Sequence, residues 1–397
     1  MSTTPSVSAS PRERIASVDI VRGLVMVLMA IDHVRVYAGV PAGGPTYGVF
    51  FTRWVTHFCA PAFVFFAGTS AFLHGEKLQD RGALQRFLLT RGAWLVVLEL
   101  TYLRVMWAFN LDYAHYMLAG VIWMLGWCMI LMSLLVRLPV AATGAFGLLV
   151  IVAHNASAWL PPDTVEGLLG GGMSGLWRIL YFGGGLTLFG SAEPNFLVLY
   201  VIVPWIGVMA AGYAFGAVLR QDAARRRRDC LLIGGTAIVA FLVLRYFNLY
   251  GDRPWTHPPE VPGLIAFLAT TKYPASLLFL LMTLGPTIAV LPWLEHARGR
   301  VASWLTVFGR VPMFYYLLHI PLIHLVALLI SLVRTPSATW WLFDHHPMRP
   351  AEVPEGYMWS LPLLYLVWAL VVVALYFPCR RFARLRAERS SPWLSYL

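Results

Sequence analysis

The 397 residues are 59% apolar and 12% charged, against roughly a quarter charged in an average soluble domain. That scarcity of surface-covering charge excludes a disordered chain, a coiled coil and an ordinary soluble enzyme. It points to an all-α integral membrane protein with several spans. The net charge of +11 rests on 28 arginines and two lysines, Lys77 and Lys272, set in short connections between apolar runs. Such placement is an orientation pattern, and it excludes a nucleic-acid groove.

Residues 1–14 are polar. The apolar run that follows contains Asp19 and Arg22, is longer than the core of a signal peptide and lacks a small-residue cleavage site, so it is expected to remain as a first span. Windows of about 19 residues predict a polytopic helical bundle of about ten transmembrane helices. They run near 18–38, 57–75, 86–108, 117–136, 139–158, 196–219, 230–249, 275–294, 312–333 and 359–379. The Gly-rich stretch 167–190 is a candidate re-entrant segment, which would make the count ten to eleven. The whole chain, 1–397, reads as one transmembrane domain with a polar N-terminus (1–14) and a basic tail (380–397). With the N-terminus inside, eighteen basic residues fall on inner segments, six on outer segments and six in or beside spans. This bias predicts both termini in the cytoplasm and residence in the cell (inner) membrane. The run Arg225 to Arg228 is then a topology anchor or a contact for lipid headgroups.

Charges inside spans are expensive in lipid and mark the bundle interior or a function. The first span carries Asp19 and Arg22 near one end and Asp32, His33 and Arg35 near the other. Each acid–arginine pair is three residues apart and shares a helix face. Asp32 and His33 are consecutive, so they project about 100° apart and do not face one another. The second span brings Arg53 and His57 to the level of His33 through a short outer connection. Further on, Lys272 opens the eighth span, as an anion holder or an interfacial anchor, and Arg310 precedes the ninth. Tyr315 and His319 are four apart in the ninth, either as a buried hydrogen-bonded pair or as the lining of a pathway. The aromatic and polar segments 110–116 and 248–274 suit a small polar organic ligand such as a sugar, or an interfacial aromatic belt.

Phosphate-loop, dinucleotide-binding, zincin and serine-hydrolase signatures are missing. The four cysteines lack metal-ligand spacing, so no metal is expected.

Several stretches resemble the bacterial membrane family related to the heparan-alpha-glucosaminide N-acetyltransferase catalytic domain. They are Arg14-x-x-Ser17-x-Asp19-x-x-Arg22-Gly23-Leu24, Pro61-x-Phe63-Val64-Phe65-x-x-Gly68-x-Ser70 and Val203-Pro204-Trp205-Ile206-Gly207-Val208-Met209-x-x-Gly212-Tyr213. Thr271-Lys272-Tyr273-Pro274 and Gly309-Arg310-x-Pro312-x-Phe314-Tyr315-x-x-x-His319 follow in order. The resemblance implies a multispanning acyltransferase that takes an acetyl group from acetyl-CoA on the cytoplasmic side. It would pass that group to an amine or hydroxyl of a sugar or other small acceptor on the far side. The family's active histidine belongs to the outer connection after the first motif helix, where this chain has Gly43 to Gly48 and no histidine.

The expected site is therefore argued from position. His33 is the general base or a transient acyl carrier, with Asp32 or His57 orienting it. Arg22, Lys272 and Arg310 are candidates for the coenzyme phosphates, and Asp19, Arg53, Tyr315 and His319 for the lining of the path. Expected partners are a small-molecule or glycan acceptor and membrane lipids, with a homodimer among the open oligomeric states. A non-enzymatic permease or lipid/polysaccharide export component is the alternative, because intramembrane charges at both ends of a helix also suit a translocation path.

Overall fold

The computed structural model describes residues 15–44, 46–344 and 352–389. Arg12, Arg14, Pro45, Arg349 and the tail residues 390–397 lie outside these. The main helices are α1 (Ala16–Tyr37), α2 (Tyr47–Leu78), α3 (81–108), α4 (Val121–Leu135), α5 (Val140–Trp159) and α6 (Val203–Leu219). They continue with α7 (Ala223–Tyr246), α8 (Leu277–Leu294), α9 (Arg300–Arg310), α10 (Pro312–Arg334) and α11 (Leu361–Glu388). Each of the ten windows overlaps one helix, and α9 falls between two of them. Among the described residues, six helices, α2, α5, α7, α8, α10 and α11, are long and apolar enough to cross a membrane. α4 and α6 are apolar but only 15 and 17 residues long.

α1 is buried around most of its circumference, as expected of a helix at the centre of a bundle. Its neighbours are α2, the end of α8, α9, α10 and α11. Contact with α9 is backbone to backbone. A methyl group on Gly23 would collide with the Leu305 carbonyl, and one on Gly309 would collide with the Asp19 carbonyl. α2 and α6 cross in the same way, Gly68 against Met209 and Gly212 against Phe65. Small residues at crossings let membrane helices approach closely and gain dispersion contact that lipid cannot better.

Two of the predicted spans begin as strands rather than helix. β1 (Met117–Ala119), β2 (Gly184–Leu186) and β3 (Phe196–Val198) form a sheet in the order β1-β3-β2. β1 and β3 are parallel, with Met117 opposite Phe196, and β2 is antiparallel to β3. Each parallel strand leads into a helix, α4 or α6, so the sheet sets the entry of both. The stretch 167–190 folds into short helical turns and β2. Hydropathy windows merge such strands with the following helix, because both are apolar.

α3 is interrupted by a π turn, Glu99–Leu103. The wider turn absorbs one residue. Glu99 and Trp107 are eight apart, which would set them about 80° apart on a regular helix; with one residue absorbed they align within about 20°. The π turn thus puts both on the face that meets α1 and α4.

Candidate functional site

A narrow cavity of about 60 Å³ lies where α1, α2, α3 and α10 meet the sheet and the 271–276 segment. α1 contributes Met29, Asp32 and His33, the i, i+3, i+4 stripe of one helix face. α2 adds Thr56, Cys59, Ala60 and Phe63 at the same kind of spacing. Glu99 and Trp107 come from α3, Lys272 and Tyr273 from the segment before α8, Tyr200 from the connection before α6, and Tyr316 from α10. The space suits a few waters or a small polar group.

His33 is held by a partner 286 positions away. Its Nδ1 lies 2.6 Å from Nε2 of His319, and the rings stack with centroids 4.8 Å apart. His319 Nδ1 is 2.7 Å from the Tyr316 carbonyl oxygen. A carbonyl only accepts, so His319 Nδ1 carries the hydrogen and His319 Nε2, in the neutral ring, carries a lone pair. His33 Nδ1 must then donate to it, which leaves the lone pair of His33 on Nε2. The edge of Trp107 against the ring, at 4.9 Å, limits its rotation. This chain of two bonds fixes the tautomer of His33 with no charged group.

Asp32 makes the expected i, i+3 pair with Arg35, Oδ1 to Nε at 2.8 Å. Arg35 also donates to the Val40 carbonyl at 2.7 Å, which anchors it to the turn that ends α1. Arg53 and Lys272 are further charged neighbours of Asp32. Lys272 is 8% exposed, so its ammonium belongs to the cavity and does not snorkel to an interface. Its segment is pinned by Asp252, which accepts from the Thr271 hydroxyl (2.6 Å), the Thr271 N–H (2.9 Å) and the Ser276 hydroxyl (2.8 Å). Lys272 Nζ stands 5.2 Å from the centre of the Tyr273 ring, and the Tyr273 and Tyr200 hydroxyls are 3.4 Å apart.

Other expected residues fall elsewhere. His57 packs against Phe279 at 5.4 Å, its Nδ1 is buried without a partner, and it does not line the cavity. It does not touch His33; His319 occupies the orienting place instead. Tyr315 stacks on His319 at 5.4 Å and its buried hydroxyl has no partner among the described residues, so the two are joined only through the Tyr315 backbone carbonyl, 3.3 Å from His319 Nδ1. The next residue, Tyr316, faces the cavity. Arg22 crosses to α2, donating to the Phe66 carbonyl at 3.0 Å and to Ser70 Oγ. The Arg310 carbonyl accepts from Arg386 at 3.1 Å, while its exposed side chain sits beside the α1–α9 crossing at Asp19. From Asp19 to His33 is 14 residues of helix, about 21 Å. Of the three basic candidates, only Lys272 therefore shares a site with His33. Arg53 flanks that site through Asp32 and Tyr273.

In the segment 110–116, buried Arg104 gathers the carbonyls of Asn110, Asp112 and Tyr116 at 2.5–2.9 Å. His115, 2.6 Å from Asp112, holds that exposed carboxylate below its usual range by hydrogen bonding. These contacts order the loop; they do not form part of the cavity.

Glu99 is the cavity residue that the sequence reading passed over. A signal was present, since it is the one carboxylate in the window 86–108, and the rule that singled out Asp19 and Asp32 applies to it equally. Among the described residues, no group of His, Cys, Asp or Glu could hold a metal ion, and all four cysteines are free and buried.

The family described as heparan-alpha-glucosaminide N-acetyltransferase, catalytic, matches residues 14–245, more than half of the chain. The match takes in α1 to α7, hence Asp32, His33, Glu99 and Tyr200, and stops before Lys272, Tyr316 and His319. No curated protein matches the chain.

Proposed function

Since the chain belongs to the heparan-alpha-glucosaminide N-acetyltransferase catalytic family, we propose that it is a membrane-embedded acyltransferase moving an acetyl group from acetyl-CoA to a small-molecule or glycan acceptor. The reading places the transfer at the extracytoplasmic side, with the chain in the cell membrane and both termini in the cytoplasm. The observation that carries it is His33. A neutral imidazole lines a buried cavity, and the bond to His319 leaves its lone pair on Nε2.

In this mechanism the acceptor's amine or hydroxyl attacks the thioester carbonyl while His33 Nε2 takes its proton. The carbon–sulfur bond breaks, and the proton passes from His33 to the departing thiolate. Lys272, the buried cation of the cavity, opposes the negative charge that develops on the carbonyl oxygen. His33 serves as base in this scheme; the acyl-carrier alternative would use the same Nε2 lone pair, with Nδ1 still donating to His319. Arg22 and Arg310, at the opposite end of α1, are left as contacts for the coenzyme's phosphates near the cytoplasmic face.

Purified protein in proteoliposomes should acetylate an added amino sugar only when acetyl-CoA is supplied. His33→Ala should lower the rate by about 10²- to 10⁴-fold, the usual contribution of a general base. Full activity in that variant would remove His33 from the mechanism. Sugar transport with no dependence on the coenzyme would favour the permease or export alternative.

A further inference from the structure

The mechanism leaves Glu99, a carboxylate of the cavity wall, without a task. Glu99 is 2% exposed, and burying a carboxylate is costly unless it is paired or hydrogen bonded. Only half of that demand is met within the protein. Oε2 accepts the backbone N–H groups of Ile122 at 2.9 Å and Trp123 at 3.1 Å, at the N-terminus of α4. Oε1 has no hydrogen-bond partner among the described residues.

A cap alone would not need this arrangement. Helix α4 begins after Gly120, where a serine or asparagine would cap it locally. Instead the carboxylate arrives from another helix and takes that space: a methyl group on Gly120 would lie 2.7 Å from Oε1 and 3.2 Å from Oε2. Gly120 also lines the cavity, and the π turn of α3 aligns Glu99 with Trp107, the ring that packs on His33. Three local features, the π turn, the missing side chain at 120 and the two amide bonds, thus combine to hold one carboxylate at the cavity wall.

Building on the acyltransferase reading, we propose that Glu99 is a second catalytic residue, whose Oε1 binds one N–H of the acceptor's neutral amine and aims its nitrogen at the acyl carbon. The proton count is unchanged. The amine nitrogen bonds to the acyl carbon, the carbon–sulfur bond breaks, and one proton of the amine travels through His33 Nε2 to sulfur, while the N–H held by Glu99 stays on nitrogen and Glu99 stays a carboxylate. The chemical class of acceptor follows. It is a primary amine that attacks in its neutral form, with no carboxylate or phosphate beside the attacking atom, because such a group would meet the like charge of Glu99.

Glu99→Gln tests this. The amide retains a carbonyl oxygen for the two backbone N–H groups but turns an NH₂ donor toward the cavity. Binding of glucosamine to the purified full-length protein, measured by calorimetry without coenzyme, should weaken by about tenfold or more. In proteoliposomes, KM for glucosamine should rise by a similar factor, with KM for acetyl-CoA unchanged within about twofold. A role limited to capping would instead lower the melting temperature and leave both KM values in place. Gly120→Ala, which crowds the carboxylate with no change of charge, should reproduce the acceptor effect and serves if Glu99→Gln does not fold. Equal glucosamine affinity in the parent protein and both variants, including none in any, would overturn the proposal. A loss of binding in the variants, in a protein that transfers no acetyl group, would overturn the acyltransferase reading and leave Glu99 as the ligand-binding carboxylate.

Discussion

A neutral imidazole carries one N–H, and in His33 the contact with His319 consumes it. That accounts for a base with no carboxylate partner: a chain of neutral hydrogen bonds ending on the Tyr316 carbonyl sets the tautomer without burying a further charge. The consequence is testable at one position. In His319→Gln the side-chain oxygen falls near the place of Nε2 and still accepts from His33, whereas His319→Ala offers nothing. The glutamine variant should keep most of its kcat. The alanine variant should lose roughly tenfold to a hundredfold, a part of what a general base contributes, with the substrate KM values little changed. Equal loss in both variants would point to packing around α10, not to tautomer control. Asp32–Arg35 was legible beforehand because three residues along a helix is a local rule. His33–His319 was not, since no local rule relates positions 286 apart.

Between helices, the stretches that carried the family resemblance acquire a physical meaning. Gly23, Gly68, Gly212 and Gly309 all stand in those stretches, and all four are points where a side chain would strike the backbone of the facing helix. Arg22 and Ser70, also from those stretches, are joined across the α1–α2 contact. A large part of the resemblance thus marks how helices cross, while Thr271, Lys272, Tyr273, Tyr315 and His319 among its later residues belong to the site or its support. Forcing volume into a well-packed crossing costs about 1–3 kcal/mol. Gly23→Val or Gly309→Val should therefore lower the thermal midpoint of the detergent-solubilised protein. Gly235→Val, at a helical glycine with open space around it, should leave the midpoint unchanged. Apart from α9, which is 11 residues long with an arginine at each end, the main helices could be read from hydropathy because each coincides with an apolar run. The three strands could not, being three residues long and continuous with helices of the same composition. The π turn has no sequence signature of its own, and so the alignment of Glu99 with Trp107 emerges only in three dimensions.

For the molecule as a whole, the arrangement requires two ends with different tasks. α1 carries Arg22 toward one end and Asp32 and His33 toward the other, about 15 Å apart along the helix. Donor phosphates and acceptor would then approach from opposite faces, and the sidedness of the membrane decides which is which. The proposed topology puts the Arg22 end in the cytoplasm, where eighteen basic residues would fall against six outside. The burial of Cys59, Cys128, Cys230 and Cys379 makes this assignment accessible to experiment, because native thiols contribute little background to labelling. Glu260 and Arg227 are exposed positions, the first in the segment between α7 and α8 and the second near the start of α7. A membrane-impermeant maleimide added to intact cells should label Glu260→Cys and spare Arg227→Cys until the membrane is opened. The opposite pattern would invert the chain. His33 would then face the cytoplasm, and a transfer across the membrane would give way to one completed on the cytoplasmic side.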